Sequence, residues 1–508
     1  MAHKYVGLGK NGKKIFLYKD DLSTKVRQVL WGDWLRIDKE KHETDPKPGW
    51  LPVIWAPKLL ERQWLYIKEE ETTDKRPLEI IFLDVGQGDG SVLITPESGA
   101  KEKIIVIDAG EGGNMRAFLN GRFRAYRGFN FDAAVITHPD QDHYLGFEKI
   151  FEDHDIGFKT IYHSGLVERP VSGTFDKLGE MKTDPATGVK YLVDLAEEKQ
   201  TIEDIYSDPE KIRKFSFPGV MHKALQNEKI KDYRMLSTGH GTLEGEQAYM
   251  PGFAPSDHRG YTVEVLGPVV EYDSEQKPRL RRISSAYGET KNGHSVILKL
   301  EYGDFKVLFG GDLNIPAEKF LLKHYTGREK FPSKKSADYL MMIQEAKPTF
   351  GAEVMKVCHH GSEKVTDAFL AAVNPACFVI SSGDQEGHVH PRPDLLGRLG
   401  RFGRGESPVL LSTELQRSTR EREDRKLVAA MHKEVDKLAK SPTEKIRKSL
   451  HKNIKELGKT NVSVYGAIYV KTDGKKLIAA FKNELDAPKK KWFYFEYSID
   501  EAGNLVQT

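Results

Sequence analysis

The sequence contains few cysteines and no long apolar run. Cys358 and Cys377 are the two cysteines among 508 residues, and each lies in an apolar segment typical of a strand. Two such residues provide no disulfide framework, which is typical of a protein in the reducing cytosol. The first thirty residues lack the apolar stretch of a signal peptide, and no apolar run approaches the length of a membrane-spanning helix. We therefore expect a soluble, cytoplasmic protein without a membrane partner.

The chain also lacks a strong net charge. Its 78 Lys and Arg residues nearly balance its 75 Asp and Glu residues, which gives a formal net charge of +3. A net charge of this size neither demands nor excludes nucleic acid, so binding of a polyanion would require a local basic surface. The length predicts about two to four domains. Composition leaves the oligomeric state open.

Residues 1–75 are rich in tryptophan. Five of the six tryptophans lie here, in short alternating segments separated by turn-prone residues: Trp31, Trp34, Trp50, Trp55 and Trp64. This pattern predicts a small β-barrel, and its Gly-Asp and Trp spacing resembles bacterial SH3-like domains. We expect the tryptophans to form the core of this domain. The alternative is an aromatic groove that binds a protein partner.

The densest group of chemically active residues is the segment 137–143, Thr-His-Pro-Asp-Gln-Asp-His. It follows an apolar strand at 133–136, so His138, Asp140, Asp142 and His143 fall where a strand gives way to a loop. Imidazole and carboxylate groups at this density suit a divalent metal ion. The segment therefore predicts a metal site at the end of a strand.

Six other motifs occur around this segment, and they place polar residues or glycine beside predicted strands, either at a strand end or, as at 292–295, before a strand. They are Leu-Asp-Val-Gly-Gln-Gly-Asp at 83–89, Ile-Asp-Ala-Gly at 107–110, Asn-Gly-His-Ser at 292–295, Leu-Phe-Gly-Gly-Asp-Leu at 308–313, Val-Cys-His-His-Gly-Ser at 357–362 and Gly-His-Val-His-Pro at 387–391. In this order, the motifs resemble the metallo-β-lactamase-fold hydrolase domain of the competence DNA-uptake protein ComEC and its stand-alone relatives. The resemblance covers about 78–415, resumes at about 461–480, and does not extend to residues 1–75.

The resemblance implies an α/β fold, the metallo-β-lactamase αββα sandwich, with two divalent metal ions. Zinc or manganese is expected, and iron is an alternative because carboxylates replace some imidazoles. Most members of the fold have histidine where this chain has Asp140, whereas the ComEC-like branch has aspartate. The implied ligands are His138 and Asp140 for one ion, Asp142 and His143 for the other, Asp312 as the bridge, and His360. His294 is a weaker candidate for the first ion.

The same resemblance implies roles beside the ligands. Asp142, His359 and His390 are the expected catalytic residues; His390 would bind phosphate or protonate the leaving oxygen, and His359 would face the substrate. Carboxylates at strand ends are expected to orient the ligands, with capping of those ends as the alternative. They are Asp84, Asp89 and Asp108.

The predicted organisation has four parts. An SH3-like domain at 1–75 precedes a hydrolase domain at 78–415, which contains an insertion at about 165–258 beside the mouth of the site. A charged helical hairpin at 416–459 has an excess of Lys and Arg, so it either follows phosphates or forms a solvated, salt-bridged surface. Strands at 460–508 complete the hydrolase domain.

These features favour a metal-dependent hydrolase, expected to be a phosphodiesterase or nuclease that cleaves DNA or RNA with a metal-activated water. One alternative is a hydrolase of a small phosphorylated or ester metabolite, such as a phosphocholine, cyclic nucleotide or lactone, because the long insertion would roof the site. A second alternative is a scaffold that recruits partners through the SH3-like domain.

Overall fold

The computed structural model describes residues 2–58, 61–123, 130–212, 216–383, 390–413, 425–457, 466–483 and 488–507. The predicted motif at 387–391 and the predicted hairpin at 416–459 therefore lie partly outside the described residues. No helix in the described ranges is both long and apolar enough to span a membrane.

The described strands are mostly short. They are β1 Ala2–Val6, β2 Ile15–Tyr18, β3 Lys25–Val29, β4 Trp34–Ile37, β5 Trp50–Lys58, β6 Glu61–Lys68, β7 Thr72–Thr73, β8 Leu78–Phe82, β9 Gly90–Ile94, β10 Ile104–Ala109, β11 Asn130–Ile136, β12 Gly157–His163, β13 Met181–Thr183, β14 Lys190–Leu192, β15 Ile230–Met235, β16 Thr242–Glu244, β17 Gln247–Tyr249, β18 Tyr261–Gly267, β19 Glu271–Tyr272, β20 Pro278–Arg281, β21 Ile297–Tyr302, β22 Phe305–Phe309, β23 Val354–Lys356, β24 Cys377–Ile380, β25 Val409–Ser412, β26 Ile468–Thr472, β27 Lys476–Lys482, β28 Trp492–Ile499 and β29 Leu505–Gln507.

Helices alternate with these strands over much of the chain. They are α1 Lys39–Thr44, α2 Asn114–Phe123, α3 Gln141–Tyr144, α4 Glu148–Phe151, α5 Lys199–Tyr206, α6 Pro209–Ile212, α7 Ser216–Gln226, α8 Tyr287–Gly293, α9 Ile315–Tyr325, α10 Ala337–Phe350, α11 Asp367–Val373, α12 Pro393–Phe402, α13 Arg425–Lys440 and α14 Glu444–Leu457. The predicted mixed α/β class is confirmed.

The chain divides into two compact units. The smaller unit comprises Met1–Arg76, Leu415–Ala467 and Ala480–Phe495, and the larger comprises Pro77–Glu414, Ile468–Ala479 and Glu496–Thr508.

The smaller unit contains a seven-stranded sheet with the order β3-β2-β6-β5-β4-β1-β7. Its core is aliphatic, formed by residues such as Val6, Leu17 and Ile67, with Trp55 only partly buried against it. Trp34 and Trp64 remain 51% and 54% exposed. The expectation of core tryptophans is therefore wrong for these two residues, because alternating aliphatic side chains already fill the inward face.

The larger unit contains two extended mixed sheets. The ten-stranded sheet has the order β15-β12-β11-β10-β9-β8-β26-β27-β28-β29, and the eight-stranded sheet has the order β16-β17-β18-β21-β22-β23-β24-β25. Strands β10, β11, β12 and β15 pair in parallel in the first sheet, as do β22 to β25 in the second. Strand β10 is buried along its whole length, as expected for parallel strands covered on both faces.

The parallel strands of both sheets end in the motifs found in the sequence. In the first sheet, β10 ends at Asp108 and Ala109, and the segment 137–143 follows β11. In the second sheet, Asp312 follows β22 and the pair His359 and His360 follows β23. Loops at the carboxyl ends of parallel strands meet along one edge, so this arrangement collects the polar residues in one place.

Candidate metal centre

Four buried side chains meet at the ends of these strands. Asp89, His143, Asp312 and His360 each contribute one nitrogen or oxygen atom to a group in which all four atoms lie within 4.8 Å of one another. Asp89 immediately precedes β9, and His143 lies in α3. The group therefore joins both sheets of the larger unit.

The two imidazoles face each other across this group. Their Nε2 atoms are 3.3 Å apart. His143 Nε2 lies 3.3 Å from Asp312 Oδ1, and His360 Nε2 lies 3.2 Å from Asp312 Oδ2. One carboxylate thus contacts both rings, as a bridging carboxylate would.

Asp142 also borders the group. Its Oδ2 lies 3.1 Å from His360 Nε2, and its Oδ1 lies 3.8 Å from His143 Nε2. Four of the predicted ligands therefore lie together: Asp142, His143, Asp312 and His360.

The other nitrogen of each ring is fixed by the surrounding protein. His143 Nδ1 lies 2.8 Å from Asp108 Oδ2, and Asp108 also accepts hydrogen bonds from the Thr137 backbone at 2.8 Å and hydroxyl at 2.7 Å. His360 Nδ1 lies 3.2 Å from Ser381 O and 3.1 Å from Asp89 Oδ1. A ring held at Nδ1 presents Nε2 to the centre, which is the usual way that proteins orient a histidine ligand.

Glycine at position 88 permits this close packing. The Asp89 backbone N–H donates to Asp142 O at 3.1 Å. A Cβ atom on Gly88 would lie 1.7 Å from the same carbonyl oxygen, and Gly88 has φ +102°. Any other residue would push the two loops apart, so the glycine-rich turn at 86–90 supports the centre.

The backbone is also unusual at the paired histidines. His359 and His360 have φ angles of +50° and +52°, a left-handed conformation that residues with a side chain seldom adopt. Consecutive residues in this conformation place the two rings in different surroundings: His360 is buried in the centre, whereas His359 is partly exposed. Such outliers concentrate at functional sites.

A buried lysine accompanies the carboxylates. Lys356 Nζ is in close contact with Asp89 Oδ2, lies 3.9 Å from Asp312 Oδ1 and donates to Gly311 O at 3.1 Å. The sequence motifs did not predict this residue. The available signal was a single lysine within the otherwise apolar run at 354–358.

The carboxylates control the pKa values of the two imidazoles. Burial alone would lower the pKa of His143, but Asp312 and Asp108 outweigh burial and raise that pKa well above its usual value. Burial would also lower the pKa of His360, which Asp312 and Asp89 raise well above its usual value. Both rings therefore carry protons among the carboxylates when no other cation is bound, and a metal ion would displace those protons.

The remaining predicted ligands have different partners. His138 Nδ1 lies 3.2 Å from Ser295 Oγ, and its buried Nε2 has no hydrogen-bond partner among the described residues. Asp140 Oδ1 lies 3.2 Å from Lys291 Nζ. His294 Nε2 lies 2.7 Å from Arg281 O, and burial lowers the pKa of His294 to about 4.

A polar cavity of about 190 Å³ borders the centre. Its lining includes all three residues predicted to be catalytic together with carboxylates and amides: Gln87, Glu111, Asp140, Gln141, Asp142, Asn292, Asp312, His359, His360 and His390. The rings of His359 and His390 are 6.1 Å apart. Burial lowers the pKa of His359, so this imidazole is neutral at neutral pH.

Asp84 has a different position from Asp89 and Asp108. Its Oδ1 accepts the Gly86 backbone N–H at 3.0 Å, and its backbone carbonyl accepts from the Asn114 amide at 2.9 Å. Through these contacts Asp84 shapes the turn at 84–86. Capping the end of a strand in this way is the alternative role that we gave for the three carboxylates.

The donor set fits a divalent cation. Buried Asp89, Asp108 and Asp312 lie around the two imidazoles, and Lys356 is the buried lysine in contact with them. Without an ion, Lys356 and the protons on the two imidazoles compensate these buried carboxylates, and a divalent cation would take the place of those protons. Two imidazoles with carboxylates are ligands that zinc, manganese and iron accept.

Comparison with known proteins adds little. No family model matches the sequence, and no curated protein matches it. A crystal structure titled as a protein of unknown function from Enterococcus faecalis V583 is similar at 12% identity with a TM-score of 0.24. The similarity covers 60% of this chain and 54% of that chain, so this chain spans about half the length of that protein. A likeness at this level carries no argument about fold or activity.

Proposed function

We propose that the chain is a metal-dependent phosphodiesterase that cleaves nucleic acid, DNA or RNA, at the centre formed by Asp142, His143, Asp312 and His360. The convergence of two imidazoles and a shared carboxylate from both sheets supports this proposal most strongly. We further propose that the larger unit is a metallo-β-lactamase αββα sandwich and that the strands of the smaller unit form an SH3-like barrel. Two mixed sheets with parallel halves support the first assignment, and a seven-stranded sheet of short strands supports the second.

Zinc or manganese, with iron as a further candidate, is the proposed ion. When bound, such an ion stabilises negative charge on a phosphoryl oxygen and supplies a nucleophile at neutral pH. Asp108 and Ser381 hold the two imidazoles with Nε2 directed at the centre, so the protein orients these ligands before the ion arrives. This preorganisation favours tight binding in a defined geometry.

Two histidines on the cavity side suit proton transfer. His359 is neutral because burial lowers its pKa, and its Nε2 lies 3.9 Å from Asp312 Oδ2. We propose that His359 and His390 face the scissile phosphodiester and that His390 binds phosphate or donates a proton to the leaving oxygen, since neutral His359 has no such proton to give. The polar lining of the cavity suits a charged group such as a phosphodiester.

A basic helical pair favours a polymeric substrate over a small metabolite. In α14, Lys445, Lys448, Lys452 and Lys455 recur at helical spacing and are all exposed. They form a stripe about 15 Å long at 1.5 Å per residue. Positive charge arranged in this way suits the phosphate backbone of nucleic acid.

Glu434 in α13 does not offset this stripe, although Asp436 and Glu444 are exposed on the same pair of helices. It accepts hydrogen bonds from Ser449 Oγ at 2.5 Å and Asn453 Nδ2 at 2.8 Å. Its charge therefore faces the partner helix rather than solvent. This orientation supports binding of a polyanion by the exposed lysines.

The test compares wild-type protein with Asp142→Ala on single-stranded and double-stranded DNA, on RNA, and on a small chromogenic phosphodiester, with manganese or zinc added. We expect wild type to cleave at least one nucleic acid and Asp142→Ala to be inactive. Faster turnover of the small ester than of any polymer would favour the metabolite hydrolase instead. A metal-loaded wild type that leaves every phosphodiester intact would refute the proposed activity.

A further inference from the structure

Both carboxylate oxygens of Asp140 have partners within the protein. Lys291 Nζ lies 3.2 Å from Oδ1. The Asn292 amide, in the orientation in which its nitrogen donates, lies 3.2 Å from Oδ2 and 2.9 Å from Gly288 O. Both partners belong to α8, so the end of one helix holds this carboxylate.

Lys291 is fixed by more than Asp140. Its side chain is only 8% exposed, and its Nζ also lies 3.2 Å from Glu168 Oε1. The same Glu168 oxygen accepts a hydrogen bond from Tyr287 at 2.6 Å. Two carboxylates and a buried environment therefore keep the ammonium group beside Asp140 and disfavour its movement into solvent.

The other residues predicted to bind the first ion, His294 and His138, offer few ligand atoms for it. His294 Nε2 is directed at Arg281 O, 2.7 Å away. Apart from Asp142, His143, Asp312 and His360, His138 Nε2 is the imidazole nitrogen left for this position, and it has no hydrogen-bond partner among the described residues. Besides Asp312 and Asp142, which the centre with His143 and His360 already uses, a divalent ion at this position would meet one imidazole and a nearby ammonium group that repels it.

We infer that the centre holds one divalent ion, bound by Asp142, His143, Asp312 and His360, and that the ammonium group of Lys291 takes the place of the second ion beside Asp140. Asp140 is then a partner of Lys291 and Asn292 rather than a metal ligand. This inference rests on the proposed function only in requiring an ion at the four-residue centre. It differs from the two ions that the sequence predicts.

The test measures metal stoichiometry on the full chain by mass spectrometry and by titration calorimetry with Mn²⁺ or Zn²⁺. We expect one ion per chain for wild type and for Asp140→Asn, with affinities within about threefold of each other. The matched variant Asp142→Asn, two residues away in the same segment, should lose at least about tenfold in affinity. Circular dichroism on all three proteins checks that they are folded.

The outcomes separate this inference from the proposed function. Two ions per wild-type chain, or loss of metal in Asp140→Asn, would overturn the inference and leave a metal-dependent enzyme intact. Absence of any bound ion in folded wild type would refute the proposed metal-dependent function itself.

A second variant tests the part played by Lys291. Lys291→Met removes the ammonium group and releases Asp140, so we expect a second, weaker ion to bind at millimolar Mn²⁺. If Lys291→Met still binds one ion at that concentration, the ammonium group is not what fills the second position.

Discussion

Two aspartates of the segment 137–143, Asp140 and Asp142, are the same residue type in different environments. Asp142 and His143 meet Asp312 and His360 in a buried group of metal-ligand atoms. Asp140, two residues earlier, instead meets a lysine and an amide from α8. Spacing within a motif brings ligand-type residues to one rim, whereas residues from elsewhere in the chain decide which of them can bind an ion.

The largest expected effect comes from a matched pair of buried histidines. His360→Gln removes a proposed ligand, whereas His294→Gln removes a ring that is directed at Arg281 O. Zinc sites with four ligands bind with about 10–16 kcal/mol, so losing one ligand should cost roughly 3 kcal/mol, or about two orders of magnitude in Kd. Competition with a chromogenic chelator measures both variants. If His294→Gln weakened metal binding as much as His360→Gln does, the proposal that His360 is a ligand and His294 is not would be contradicted.

The next largest effect concerns the close backbone contact between Gly88 and the loop that carries Asp142 and His143. Gly88→Ala places a Cβ atom against Asp142 O and requires a side chain at φ +102°. We expect a loss of about 2–4 kcal/mol in the free energy of unfolding, since strain and displacement of the loop add. Gly113→Ala is the control, because a Cβ atom there meets nothing within 4 Å. Denaturant unfolding of both variants decides; a Gly88→Ala protein as stable as the control would show that the close approach is dispensable.

Sequence patterns predicted the strand ends and the residues that gather there, because apolar runs followed by polar motifs are local signals. They did not predict Lys356 or Lys291. Lys356 pairs with Asp89 across 267 positions of the chain, and no local pattern encodes such a partner. Lys291 lies one residue before the motif at 292–295, and its partners Asp140 and Glu168 are distant in the sequence. The exposure of Trp34 and Trp64 also escaped prediction, since composition does not say which face of a strand an aromatic residue occupies.

A smaller effect on metal affinity is expected for Asp108, which orients the proposed ligand His143 without being a ligand itself. Asp108→Asn keeps the size of the side chain but weakens its hold on His143 Nδ1, now 2.8 Å away. Substitution of such a partner typically lowers metal affinity by about 10–100-fold. Glu168→Gln alters a partner of Lys291, which is not a proposed ligand. It should therefore leave the metal affinity unchanged. The prediction fails if Glu168→Gln weakens metal binding as much as Asp108→Asn does.

The smallest effect is a pH dependence of metal binding, which distinguishes His143 and His360 from His138. The pKa values of His143 and His360 are raised above their usual value by nearby carboxylates, so both rings are protonated at neutral pH before metal binds. Burial and the charge of His143 instead lower the pKa of His138 well below its usual value, so that ring has no proton to lose. An ion at the centre must displace the first two protons, and metal affinity should therefore rise with pH, by about tenfold per pH unit for each proton released. Calorimetry in buffers of different ionisation enthalpy counts these protons. We expect one to two for wild type and about one fewer for His360→Gln, whereas His138→Gln should release the same number as wild type and bind the ion with the same affinity. A weaker affinity in His138→Gln would place that histidine among the ligands and remove the distinction between it and the two protonated histidines.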